Sequence, residues 1–279
     1  MSGGGGMRVR SVVLWISLLL LGPVIAAGNP PAAQTALPTR MAAIGDSITT
    51  AVNVCCWYGA RPAHSWSTGW NTGDPVRSHY ERILAVQPAI AGRNYNDARG
   101  GARMADAPGQ AAQAVAQQAQ YVTILMGAND VCTSSPSTMT PVADFRASFQ
   151  TAMQTLTVGL PNAKIFVSSI PNVHRLWRIF RYNLAAQTAW YVAKTCQSML
   201  SPFRTKEGRQ RVLTRERAFN DVLAQVCAQY AQCRFDGYAV FNFPLEPSHV
   251  SKLDYFHPNK NGQAVLASQT WARSWWSVS

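Results

Sequence analysis

Short apolar runs alternate with amphipathic stretches along most of this chain. Residues 41–44, 94–98, 121–126 ("YVTILM") and 164–170 ("KIFVSSI") are short, rich in β-formers and bounded by Gly, Pro or polar residues. They predict strands, and residues 235–241 predict a last one. Between them, residues 75–86, 106–118, 141–160, 184–200 and 209–230 predict helices, and 262–276 closes the chain as another. In the first, Val76, Tyr80, Ile83 and Leu84 fall at helical spacing. Strands alternating with helices predict an α/β fold with a parallel sheet covered on both faces. "YVTILM" has no polar alternation, as expected of a strand buried on both sides. Residues 175–208 are the least regular and read as an insertion beside the site. In such sheets, sites form beyond the carboxyl ends of the strands, so the residues after each apolar run bear inspection.

The N-terminus reads differently. Arg8 and Arg10 precede an apolar stretch, residues 11–21, then Gly22-Pro23 and the small residues Ala26-Ala27-Gly28. This is the layout of a secretory signal peptide over residues 1–27. The stretch is too short to span a bilayer, and a buried N-terminal helix is the competing reading. Residues 28–38, "GNPPAAQTALP", read as a flexible leader, which leaves 39–279 as one domain. With 47% hydrophobic and 14% charged residues, the composition suits a single core. No second apolar run approaches spanning length, so a soluble, secreted protein is expected.

Six cysteines fit that route: Cys55, Cys56, Cys132, Cys196, Cys227 and Cys233. Cys227 and Cys233 are close enough in sequence to close a small loop at a helix end, and Cys132 with Cys196 is the next pairing. Cys55 and Cys56 then remain, as a vicinal pair or as partners in another arrangement. No Cys-x-x-Cys spacing is present, so no metal is expected.

The net charge is +12, from 25 Lys and Arg against 13 Asp and Glu. Without Arg8 and Arg10 it is +10, and residues 175–217 hold ten Lys and Arg against Glu207 and Glu216, which is +8 of that total. Such a patch suits anionic lipid, nucleic acid or an acidic polymer, and a solvated helix face is the plainer alternative. Leu176, Trp177, Ile179 and Phe180 interleave with arginines there, which favours an anionic membrane surface. No nucleic-acid module accompanies the patch, so no nucleic-acid partner is expected.

Polar groups gather where the apolar runs end: Gly45-Asp46-Ser47, "NDARGGAR" with Gly100 and Gly101, and Gly127-Ala128-Asn129-Asp130. Before the last helix comes "DYFHP", with Asp254 and His257. Acyl transfer needs a nucleophile, a base, a group that orients the base, and donors for an oxyanion. Ser47 suits the first role, with Gly45 freeing the chain to turn. His257 suits the second, and Asp254, three residues earlier, suits the third. The backbone N–H groups of Ser47 and Gly101 and the Asn129 amide suit the last. Taken singly, each has a plainer reading: Ser47 as a helix N-cap, the glycines as a turn, Asn129 and Asp130 as a cap, and Asp254 and His257 as loop residues. Asp46 and Asp130 read as structural. His64, His79, His174 and His249 lack an Asp three residues earlier and rank behind His257. Trp57, Trp66, Trp70, Trp177 and Phe256 are candidates to line an acyl pocket.

With these blocks in this order, the chain resembles GDSL-type esterases and lipases of the SGNH hydrolase superfamily. The four blocks stand here as "GDSI" (45–48), "NDARGGAR" (96–103), "GAND" (127–130) and "DYFH" (254–257). "SWSTG" (65–69), the spacing from Asn96 through Gly101 to Asp106 and Pro108, and Cys132 after "GAND" resemble the phospholipase-B-like branch. The resemblance implies a flavodoxin-like three-layer α/β/α sandwich with a central parallel sheet. It implies Ser47 as nucleophile, Ser47, Gly101 and Asn129 as oxyanion donors, Asp254 and His257 completing the triad, and no cofactor. Ile48 replaces the usual Leu of the first block, and spacing favours Gly101 over Gly100.

The leading expectation is a secreted, monomeric serine hydrolase acting on lipid or phospholipid esters. A carbohydrate acetylesterase with the same triad is the second, and a non-catalytic secreted binding protein that uses the basic patch is a third, from another class. The absence of Gly-x-Ser-x-Gly, His-Glu-x-x-His, a Walker A loop and Gly-x-Gly-x-x-Gly argues against other hydrolase and nucleotide-binding classes.

Overall fold

The computed structural model describes residues 1–9, 11 and 36–277. The apolar and cleavage parts of the signal-peptide reading, and the leader through residue 35, lie outside the described residues. The chain divides into Met1–Gln34 and Thr35–Ser279. All regular structure among the described residues belongs to the second unit.

Five parallel strands form one sheet: β1 (Met41–Gly45), β2 (Asn94–Asn96), β3 (Tyr121–Leu125), β4 (Lys164–Val167) and β5 (Cys233–Phe235), in the order β2-β1-β3-β4-β5. β1 and β3 are buried throughout, as expected of strands without polar alternation, and the polar side chain of Thr123 is bonded to Ser67. Side chains alternate between the two faces. Ala42, Ile44, Val122, Ile124, Ile165 and Val167 enter the larger core. Met41, Tyr121 and Phe166 enter a core on the other face, where Tyr80, Ile83 and Trp271 pack.

Helices cover both faces. They are α1 (His79–Leu84), α2 (Ala107–Ala116), α3 (Ala128–Val131), α4 (Val142–Gly159), α5 (Val173–Phe180), α6 (Leu184–Val192), α7 (Gln197–Leu200), α8 (Lys206–Cys227), α9 (Ala239–Asn242) and α10 (Lys260–Trp271). α2, α4 and α8 pack together on the larger core, where the Phe145 and Phe219 rings stack at 4.0 Å. α2 and α4 approach so closely that a Cβ on Gly159 would stand 2.7 Å from the Val115 methyls. The result is the expected three-layer parallel α/β architecture.

Local chemistry moves several boundaries. α1 starts only at His79, because Ser78 and Glu81 form a capping box. α8 starts at Lys206, where Thr205 Oγ1 accepts the Gly208 N–H, three residues before the apolar pattern begins. The strand expected over 235–241 ends at Phe235. Asp236 Oδ1 accepts the Tyr238 N–H and its Oδ2 the Val240 N–H, Gly237 and Tyr238 take left-handed φ, and the chain turns into α9. The helix expected over 184–200 breaks into α6 and α7 at Cys196, whose φ is 45°.

Residues 175–208, expected to be irregular, are largely the helices α5, α6 and α7, of which α5 and α6 are capped by Asn172 and Asn183. Leu176 and Phe180, read as membrane-facing, are core residues, and Trp177 and Ile179 pack against that core. Several cations of the window also serve the fold. Arg175 and Arg209 donate to the Leu245 and Met199 carbonyls, Arg215 to Thr140, while the buried Glu216 accepts the Val173 N–H.

Cys132 pairs with Cys196 and Cys227 with Cys233, as expected, whereas Cys55 and Cys56 are unpaired. The first bridge closes a span of 64 residues and the second only 6. Chain entropy then makes Cys132→Ser/Cys196→Ser cost about 4 kcal/mol and Cys227→Ser/Cys233→Ser about 2 kcal/mol. Urea midpoints of the two double variants, compared with the parent, measure that order.

Candidate active site

A glycine stands at position 45, the end of β1, for want of space rather than for a special backbone angle, which corrects the expectation that this glycine frees the turn. A Cβ there would lie 2.4 Å from Thr49 Oγ1 and 2.8 Å from the Leu125 carbonyl. The Gln110 side chain of α2 brackets the same peptide, accepting the Gly45 N–H at 2.8 Å and donating to its carbonyl at 3.0 Å. Ser47 follows in a turn and is no helix cap. Its neighbour Asp46 does the capping: Oδ1 accepts the Ile48 N–H at 2.9 Å, and the Asp46 carbonyl accepts Thr49 and Thr50 N–H groups. Burial raises the Asp46 carboxyl to about 7, against the lowering effects of the Ile48 N–H and the His257 charge. Ser47 is 8% exposed, and among the described residues neither its Oγ nor its backbone N–H is taken up by another group.

Gly101 occupies the third position of a turn closed by the Ala102 N–H to the Arg99 carbonyl at 3.1 Å, with φ 79°. That angle is why a glycine stands there. Gly100, the neighbouring glycine, has no such angle. Asn129, in α3, donates one amide hydrogen to the Ala102 carbonyl at 3.0 Å. The bond fastens the Asn129 amide beside the Gly101 turn and leaves its second hydrogen available. Asp130 sits behind them, buried, with Oδ2 accepting the Met104 N–H at 2.9 Å and its carboxyl raised by that burial.

Asp254 is where the site closes. Its Oδ1 accepts the N–H groups of Phe256 and His257, at 2.9 Å and 3.1 Å. Its Oδ2 accepts His257 Nδ1 at 2.6 Å and the Asn53 side-chain amide at 2.6 Å. Burial pushes this carboxyl upward. The hydrogen bond and charge of His257, helped by Asn53 and the Phe256 N–H, outweigh it and hold Asp254 below the ordinary carboxylate range. Held this way, the Nδ1–H is fixed toward the carboxylate and Nε2 is the nitrogen left to exchange a proton.

Asn53 is the residue that reading the sequence missed. It lies six residues after Ser47, in left-handed backbone (φ 55°), a conformation Asn tolerates better than most residues. The asparagine at a turn was visible, but its partner lies 201 residues away.

The other histidines have different work. His79 is fully buried between Tyr121 and Thr270, and burial lowers it to about 3. His64 pairs with Asp74, ten residues later. His174 packs on Trp177, and His249 accepts the Glu246 N–H.

An apolar cleft opens beside the assembly. Its walls include Ile48, Ala128, Leu176, Val240, Phe243, Phe256 and Leu266. Ile48 follows Ser47, Ala128 precedes Asn129, and Phe256 precedes His257, so the cleft is lined by the chain neighbours of all three, although no hydrogen bond joins Ser47 to His257 among the described residues. Of the aromatic candidates only Phe256 lines it. Trp66 is buried and donates to Thr49, Trp177 borders a separate hollow with Arg181 and Arg209, and Trp57 and Trp70 are exposed. Among the described residues no group of three His, Cys, Asp or Glu is placed to hold a metal ion.

The sequence profile of the GDSL-like Lipase/Acylhydrolase family matches residues 41–270. The chain therefore belongs to the GDSL-like lipase/acylhydrolase family and is a carboxylic ester hydrolase. A search of curated proteins finds no match. Among solved structures the fold is similar to the crystal structure of TesA, at 16% identity over 84% of this chain and 97% of that one, with a TM-score of 0.46. It is similar to a family 3 carbohydrate esterase of Clostridium thermocellum, at 11% identity over 84% and 94%, with a TM-score of 0.47. It is also similar to phospholipase A1 from Streptomyces albidoflavus NA297, at 14% identity over 82% and 98%, with a TM-score of 0.42.

Replacing Asn53 by Gly removes the amide while keeping the left-handed backbone accessible. If His257 serves as the base, Asn53→Gly is expected to lower kcat on a p-nitrophenyl ester by about tenfold with KM little changed, since Asp254 loses one of the donors that hold it against His257. Steady-state kinetics on the two proteins check the split.

Proposed function

We propose that this protein hydrolyses lipid esters through an acyl-enzyme formed on Ser47. His257 takes the Ser47 proton as Oγ attacks the ester carbonyl, and Asp254 orients the imidazole and stabilises its charged form. The developing oxyanion meets the N–H groups of Ser47 and Gly101 and the free amide hydrogen of Asn129; one such donor is typically worth about 3 kcal/mol in the transition state. His257 returns the proton to the leaving alcohol, and a water activated by the same histidine releases the acyl group. The observation that carries a lipid substrate is the apolar cleft, whose walls include the immediate neighbours of Ser47, Asn129 and His257. An acyl chain finds burial there, whereas an acetyl group would leave most of it unused. A carbohydrate acetylesterase remains the competing reading, and acyl preference separates the two. The test uses p-nitrophenyl esters of increasing chain length. Activity that rises from acetyl to longer acyl chains, and disappears in Ser47→Ala, is the expected result. A sharp acetyl optimum would favour the sugar-ester reading, and full activity in Ser47→Ala would reject the mechanism.

The same reading makes the mature chain a secreted monomer that works against an anionic membrane surface. Arg8, Arg10 and the apolar stretch 11–21 support export, as do two disulfides. Within residues 175–217 the exposed apolar residues that support membrane contact are other than Leu176, Trp177, Ile179 and Phe180. Tyr182, Leu184, Tyr191, Val192 and Phe203 are exposed on and around α6 and α7, with Arg181 over the Tyr182 ring at 4.7 Å and Lys194 and Arg204 close by in the chain. Exposed aromatic and aliphatic groups among cations suit the interface of an anionic bilayer. Sedimentation with vesicles is expected to show binding that grows with anionic lipid content, weakens with salt and falls when Leu184 and Phe203 are both changed to Ser. Binding indifferent to all three would remove membrane contact from the reading.

A further inference from the structure

Four of the six cysteines are paired, and the remaining two are neighbours in sequence and in space: Cys55 and Cys56 hold their Sγ atoms 2.7 Å apart. Cys56 is exposed, with φ 68°, and Cys55 is half-buried. The segment they occupy is a closed loop. The Asn53 N–H donates to the Gly59 carbonyl at 2.9 Å, the Gly59 N–H returns to Asn53 Oδ1 at 2.8 Å, and the Trp57 N–H donates to the Cys55 carbonyl at 2.8 Å. This loop touches the Asp254 segment twice. Asn53 donates to the Asp254 carboxylate, and Tyr58 Oη donates to the Leu253 carbonyl at 3.0 Å. The two sulfurs therefore lie between the two contacts that tie the loop to Asp254.

We propose that Cys55 and Cys56 form a vicinal dithiol–disulfide couple whose oxidation state governs how firmly Asn53 is held against Asp254. The link to catalysis rests on the triad reading above; the thiol chemistry does not. In the oxidising step the thiolate of exposed Cys56 attacks a low-molecular-weight disulfide and expels one thiol. Cys55 then attacks the mixed disulfide and expels the second. Two electrons and two protons pass from the pair to the reagent. The eight-membered ring that results fixes the left-handed bend at Cys56 and stiffens the loop from Asn53 to Gly59. Reduction removes that ring and leaves the loop held by its hydrogen bonds alone, as in this dithiol structure, so the Asn53 amide is held less firmly than in the disulfide form. Exposure makes this pair the first to open under mild reductant, ahead of the bridges that include the buried Cys196 and Cys227.

The test equilibrates the full-length protein in oxidised and then mildly reduced glutathione, maps the peptides and measures ester hydrolysis in each state. Trypsin leaves one peptide, residues 41–77, that contains these two cysteines and no others. In oxidised buffer it is expected to lack two hydrogens and to carry no glutathione. On mild reduction it regains them while the other two bridges stay closed, kcat falls several-fold with KM little changed, and reoxidation restores it. Cys55→Ser/Cys56→Ser is expected to show the lower kcat in both buffers. Free thiols or stable glutathione adducts on the peptide in oxidised buffer would overturn the couple. Closure of the ring with unchanged kcat would overturn its effect on Asn53. The peptide masses do not depend on activity, so ring closure in a protein that hydrolyses no ester would support the thiol chemistry and count against the function assigned to Ser47.

Discussion

The site depends on one carboxylate. Asp254 accepts four hydrogen bonds: two from the backbone of its own turn, one from His257 and one from Asn53. Burial alone would favour its neutral form, and the donors reverse that outcome. An ionised Asp254 holds the Nδ1 proton of the adjoining imidazole and leaves Nε2 free, which is the arrangement the proposed mechanism uses. Asn53 follows closely on Ser47, so its amide also joins the segment that carries the serine to the segment that carries the histidine.

The fold makes that convergence inexpensive. β1 and β3 end side by side, in register from Met41 with Tyr121 to Gly45 with Leu125, so the Ser47 turn and the α3 turn emerge together. The Gly101 turn follows β2 on the other side of β1. Asn129 locks that turn by holding the Ala102 carbonyl. Gln263 of α10 brings the last segment in, donating to the Ile48 carbonyl at 2.8 Å and accepting the Trp66 N–H at 2.9 Å. Each of these segments is thus held by backbone or by a side chain that packing has already fixed.

Much of this was legible from residues alone. The sheet could be read because β1, β3 and β4 are short runs dominated by apolar residues, and the candidate site because its four blocks sit beside the ends of elements. What escaped was set by contacts between distant parts of the chain. Gln110 and Asn53 look like ordinary polar residues until folding places them 2.8 Å from Gly45 and 2.6 Å from Asp254. The basic window misled for a related reason. Its arginines and aromatics alternate as a surface segment would, yet backbone carbonyls bind several of the cations, and Leu176 and Phe180 of α5 enter the core. The Asn172, Asn183 and Thr205 caps were the available signal that this stretch is helical.

The central claim is that Ser47, His257 and Asp254 act as one unit, and covalent labelling with a fluorophosphonate tests it most directly. Digestion and mass analysis of the labelled protein locate the adduct. One label per chain on Ser47, abolished in His257→Ala and slowed by orders of magnitude in Asp254→Asn, is the expected result. A folded wild-type protein that takes no label at Ser47, or one whose labelling is indifferent to His257→Ala, would contradict it.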